Sequence, residues 1–241
     1  MHSFVLLFAG FLAALLGTMG GGGAGFVSIY VLLLFGLPIN AALATFKFGD
    51  LGFSTSLINF ARQGLFKKQI FMPLLLLECA GALIGTFLII HLSDTLLKYT
   101  LTIILIPLFV LMLSHGKKIR PGKASIWWKP VYFFGSVSLG AVQAGSFIQM
   151  FSLMDLRKVP ALEAAANRFL VVCPFEALSV AILLLFSGLV NVRFGIPLIA
   201  GNVVGSYFGS KIAIRKGSGF VRYALLCLMA ATVITVWLKR Y

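Results

Sequence analysis

The chain has 241 residues, of which 60% are hydrophobic and only 11% charged, and its mean hydropathy is +1.04. About 25% charge is usual for a soluble domain, so composition excludes one and points to a polytopic helical membrane protein. The net charge of +14 does not imply nucleic acid, because the basic residues sit in short loops between apolar runs and not on one amphipathic face.

From the N-terminus, residues 3–36 form an apolar region interrupted in its middle. Phe4 to Leu16 and Val27 to Phe35 flank the stretch GTMGGGGAGF, Gly17 to Phe26. Each glycine weakens a helix interior by about 0.5–1 kcal/mol, so Gly20 to Gly23 mark a break. No basic n-region precedes the first apolar stretch and no cleavage site follows it, so it is not expected to be a signal peptide. Apolar runs follow at 41–61, 69–91 and 94–114, and the longest polar stretch is His115 to Lys129. A second interrupted region, 130–154, is broken at Gln143 to Ser146, and further runs lie at 160–187, 193–213 and 219–238. Each run approaches or exceeds the roughly 20 residues that cross about 30 Å of hydrocarbon.

The arms of the interrupted regions read as short. From Ser146 the chain reaches Asp155 in about two turns, and an eight-residue helix covers about 12 Å. Both regions are therefore expected to be re-entrant hairpins, with their non-helical backbone enclosed by protein or a watery cavity. Lys117, Lys118, Arg120, Lys123 and Lys129 place the central loop in the cytoplasm, and Arg62, Lys67, Lys68, Arg157, Lys158, Lys211, Arg215 and Lys216 follow the same rule. Both termini then face away from the cytoplasm, against the tendency of Lys239 and Arg240.

The second half repeats the first. Gly64, Pro73, Gly81, Gly85 and Tyr99 match Gly188, Pro197, Gly205, Gly209 and Tyr223 at one spacing, and Gly23 and Pro38 match Gly145 and Pro160 at a slightly smaller one. The basic loop at 62–68 corresponds to the nearly neutral 188–192, and the uncharged turn at 36–40 to the basic 155–158. Equivalent loops thus lie on opposite faces, the signature of inverted-topology repeats. The expected fold is all-α: repeat one over 1–114, a basic cytoplasmic linker over 115–129 and repeat two over 130–241. Each repeat comprises a re-entrant helical hairpin and three transmembrane helices.

In that architecture a broken helix brings half-helix N-termini, each carrying roughly half a positive charge, to the membrane midplane. Gly21, Gly22 and Gly23, with Ser146 in the second half, are expected to bring such termini against an anion. Ionisable groups at depth are candidates by default. Lys47 and Arg168 lie one position apart in the repeat register and would place a cation from each half beside the anion, although Lys47 could instead pair with Asp50 one turn on. Thr45, Gln143, Gln149 and Asn167 could add hydrogen bonds, and Glu78 and Glu176 could carry a coupling proton or serve as structural hydrogen-bond acceptors.

The glycine-rich hairpin, LPINAALATFK (Leu37 to Lys47), VPALEAAANRF (Val159 to Phe169), GNVVGSYFGSKIA (Gly201 to Ala213) and the two-repeat plan together resemble the sulfite exporter TauE/SafE family. The resemblance implies a permease for small sulfur-containing anions such as sulfite and organosulfonates. The second half departs from the usual pattern, with VQAGSF (Val142 to Phe147) in place of a fuller glycine cluster and Asn167 where Thr45 stands in the first. A small-anion channel, or a carrier for another carboxylate or inorganic anion, remains the alternative. Cys79, Cys173 and Cys227 have no ligand spacing, and no catalytic constellation is evident, so neither enzyme activity nor a metal or cofactor is expected. The expected partners are a small anionic substrate and the lipid of the cell (inner) membrane, in which the chain would be multi-pass. A homodimer is left open.

Overall fold

The computed structural model describes residues 2–23, 25–91, 124–142 and 145–238. Gln143, the run at 94–114, the 117–123 part of the central loop, Tyr99, Lys239 and Arg240 lie outside the described residues. Those described are almost wholly helical: α1 (His2–Met19), α2 (Gly25–Leu34), α3 (Ile39–Asp50), a 3-10 turn (Leu51–Thr55), α4 (Ser56–Arg62), α5 (Lys68–His91), α6 (Trp128–Val142), α7 (Gly145–Phe151), a π turn (Ser152–Leu156), α8 (Ala161–Phe186) and α9 (Val192–Leu238). Backbone angles at Asp50, Leu51, Thr55 and Ser56 all stay right-handed helical, so α3, the 3-10 turn and α4 form one run matching the 41–61 expectation. α9 is divided at Gly217, whose φ of 80° breaks the helix between the two runs expected there.

Matching residues start and stop matching helices. Pro38 and Pro160 are the N-caps of α3 and α8, with ψ of 153° and 140°, since proline's fixed φ suits a helix entrance and its missing N–H costs nothing there. Gly64 and Gly188 close α4 and α8 with φ of 66° and 63°, the left-handed turn that glycine alone enters without strain.

The first arm of the N-terminal region differs from expectation. α1 has 18 residues and is about 27 Å long, whereas the ten-residue α2 covers about 15 Å. Nothing in the Leu- and Ala-rich sequence interrupts α1 before the glycines. By length and composition, His2–Met19, Lys68–His91 and Ala161–Leu183 are, among the described residues, long and apolar enough to cross a membrane.

Small residues set the helix contacts. Gly81 and Gly85 of α5 lie against Ser136, Val137 and Gly140 of α6. Gly201, Gly205 and Gly209 of α9 lie against Leu7, Phe11, Ala14, Leu15 and Thr18 of α1. In both pairs the contacts advance in the same direction along both helices, so the partners run parallel. Such close backbone approach is how helices associate where lipid removes the hydrophobic drive. The outer surface is correspondingly apolar, with Phe4, Leu76, Phe87, Phe186 and Phe208 exposed, while Lys47, Glu78, Asp155, Asn202 and Arg222 are buried.

A Cβ on Gly85 would lie 2.5 Å from the Gly140 Cα, whereas one on Gly219 meets nothing within 4 Å. Gly85→Leu should therefore destabilise the protein by about 1–3 kcal/mol or more. Gly219→Ala should leave stability within about 0.5 kcal/mol. Thermal unfolding of the purified protein in detergent checks both; equal melting points would remove the packing role of Gly85.

Candidate functional site

α1 and α2 are separated by a glycine turn. Gly21, Gly22 and Gly23 have φ of 76°, 127° and 88°, which other residues reach only with strain. The turn is also crowded. A Cβ on Gly22 would lie 2.8 Å from both Nη1 of Arg168 and Cβ of Ser146, and one on Gly23 would enter the ring of Phe147. Glycine here thus lets the start of α7 and the side chain of Arg168 meet the break after α1.

Arg168 projects from α8 into this junction and is 2% exposed. Its Nε donates to Oε1 of Gln149 at 2.6 Å and its Nη1 to the Gly21 carbonyl at 3.1 Å. No carboxylate lies within 4 Å of the guanidinium among the described residues. Gln149 passes the interaction on, donating through Nε2 to Oε2 of Glu78 at 2.7 Å and to Oγ of Ser136 at 3.0 Å. The Ser136 hydroxyl donates to the same Glu78 oxygen at 2.6 Å. A buried cation is thereby linked to a buried carboxylate through one amide, across α8, α7 and α5.

A second buried pair crosses nearby. Nζ of Lys47 in α3 lies 2.9 Å from Oε1 of Glu176 in α8. Between the two systems is a cavity of about 40 Å³, room for a few water-sized groups. Asp50, Ser146, Arg168 and Glu176 give it polar walls, and Phe46, Phe53 and Phe169 aromatic ones. A cation, a hydroxyl-bearing residue at the start of a helix and exposed glycine backbone can bind an anion; the two carboxylates can hold or exchange a proton.

The sequence profile of the sulfite exporter TauE/SafE family matches residues 6–236. The chain belongs to that family. It is similar to "Probable membrane transporter protein ORF9" of Sinorhizobium sp, at 26% identity over 243 residues covering 97% of this chain and 92% of the relative. It is also similar to "Probable membrane transporter protein YdhB" of Bacillus subtilis (strain 168), at 27% identity over 218 residues covering 86% and 88%. No solved structure matches. This TauE/SafE member is a membrane transporter and not an enzyme.

Of the residues singled out from the sequence, Gly22, Gly23, Ser146, Arg168 and Glu176 meet at the cavity, and Gly21 supplies a carbonyl to Arg168. Thr45 and Asn167 do not line it. Oγ1 of Thr45 accepts the Asn191 N–H and Oδ1 of Asn167 accepts the Lys67 N–H, both at 2.9 Å, each bond holding the residue just before a long helix. Lys47, expected beside an anion or against Asp50, is instead paired with Glu176. That pairing also occupies one of the two proposed proton carriers, while Glu78, the other, is two hydrogen bonds behind the cavity, through Gln149 and Arg168. Asp50 reaches the cavity wall, which its proximity to Lys47 in sequence concealed.

Removing one member of a buried pair leaves an uncompensated charge and typically costs about 3–5 kcal/mol. Lys47→Met should accordingly lower the melting temperature sharply, and the double variant Lys47→Met with Glu176→Leu should recover most of the loss. Additive losses in the double variant would show that the two side chains do not depend on each other.

Proposed function

We propose that this protein is a secondary transporter that carries a small sulfur-containing anion across the cytoplasmic (inner) membrane by alternating access. The observation that carries the reading is Arg168, a buried guanidinium in the cavity wall with no carboxylate within 4 Å among the described residues. Arginine's planar fork suits the oxygens of a sulfite or sulfonate. The family description names sulfite export, which favours a sulfur oxyanion over a carboxylate. The small cavity favours a carrier over an open channel.

Alternating access rests on two inverted repeats, 1–114 and 130–241, joined by the linker 115–129. The opposite charges of equivalent loops support the inversion, and the recurring helix contacts support the duplication. Gly81 meets Ser136 and Val137 where Gly205 meets Ala14 and Leu15; Gly85 meets Gly140 where Gly209 meets Thr18. Under this reading each of the two interrupted regions is re-entrant, and the glycine turn of the first is enclosed at the cavity as the bilayer requires.

Reconstituted in proteoliposomes, the protein should move labelled sulfite saturably and in preference to chloride and acetate. Arg168→Gln should weaken apparent affinity about ten- to a hundredfold, the loss of a charge-assisted bond worth about 1.5–3 kcal/mol. Wild-type affinity in a folded Arg168→Gln protein would remove the anion site from this cavity.

A further inference from the structure

The charges around the cavity constrain its ligand more narrowly than a single arginine does. Asp50, Arg168 and Glu176 line it, and Lys47 is bonded to Glu176 at 2.9 Å. Lys47 and Arg168 face Asp50 and Glu176, and Glu78 is joined to Arg168 through Gln149, so the site holds no surplus of cations over carboxylates before anything enters. Lys47 is already engaged, and Arg168 directs Nε and Nη1 to Gln149 and Gly21.

Asp50 is the unexplained member. Its Oδ1 is buried and has no hydrogen-bond partner among the described residues. The ammonium one turn before it goes to Glu176. A buried acceptor left unbonded is costly unless something else meets it.

We propose that the ligand is a small monoanion that also carries a hydrogen-bond donor, its anionic oxygens bound by Arg168 and its O–H accepted by Asp50. This rests on the anion-carrier reading and narrows its substrate class. A dianion would leave two uncompensated negative charges in a site of low dielectric. A monoanion without a donor would set an anionic oxygen against the unbonded Oδ1 of Asp50. A ligand with both features satisfies Arg168 and Asp50 together, and Asp50 becomes the residue that discriminates among anions.

Calorimetric titration of the purified full-length protein with three probes of fixed charge tests this. Hydroxymethanesulfonate has one charge and a hydroxyl, methanesulfonate one charge and no donor, and sulfate two charges. The wild type should bind the first at least about tenfold tighter than the second, with sulfate weakest. Asp50→Asn, checked for an unchanged melting point, should erase most of that preference and strengthen sulfate binding. Equal wild-type affinity for the two sulfonates, or sulfate bound as tightly as either, overturns the inference while leaving an anion site standing. Binding of none of the three by the wild type would overturn the anion reading itself, and this inference with it. The wild-type comparison decides the matter even if the variant does not fold.

Discussion

A guanidinium buried inside a membrane protein must have its N–H groups satisfied, and much of the arrangement around Arg168 follows from that demand. Nε finds Gln149 and Nη1 finds the Gly21 carbonyl, which is available because the chain leaves its helix there. The glycines end α1, expose that carbonyl and keep space for the arginine. Gln149, bonded at its other end to Glu78, fixes the acceptor in place. The site is thus built on α3, α7 and α8 with the turn of backbone that follows α1, and α5 supports it through Glu78.

Under the proposed repeat, two of the cavity's three charged wall residues have apolar counterparts, and the third, Glu176, corresponds to Ser54. Arg168 corresponds to Phe46 and Asp50 to Val172, and all four line the cavity. Lys47 corresponds to Phe169, another wall residue. The backbone features stay matched, as in the Pro38 and Pro160 caps, the Gly64 and Gly188 turns and the bonds of Thr45 and Asn167. On that reading duplication would account for the shared frame, and divergence of side chains for the charged residues Asp50 and Arg168 in the cavity wall. A symmetric set of cations would instead have repelled one another across a few ångströms of low-dielectric protein.

Local signals were legible because their physics is local. Four consecutive glycines can hardly continue a helix, a proline before an Ala-rich run starts one, and apolar length reports membrane depth; the structure places breaks and starts at those residues. The length of α1 was not legible, since it depends on where propagation stops and not on any marker before Gly20. Nor was the pairing of Lys47. Asp50 lies three residues away and invites a local pair, but the bond goes to Glu176, 129 residues on, through a fold the local pattern does not contain. Thr45 and Asn167 each accept a loop N–H, and polar side chains at depth look alike in sequence whether they hold a ligand or a loop.

The central claim is that the glycine turn after α1 and the start of α7 enclose an anion against Arg168. A structure of the protein with selenite, recorded at the selenium absorption edge, tests it most directly. The account predicts an anomalous peak within bonding distance of the Arg168 guanidinium, bordered by Gly22 and Ser146. A peak elsewhere in the membrane domain, with Arg168 still bonded as before and its cavity holding only water, would contradict it.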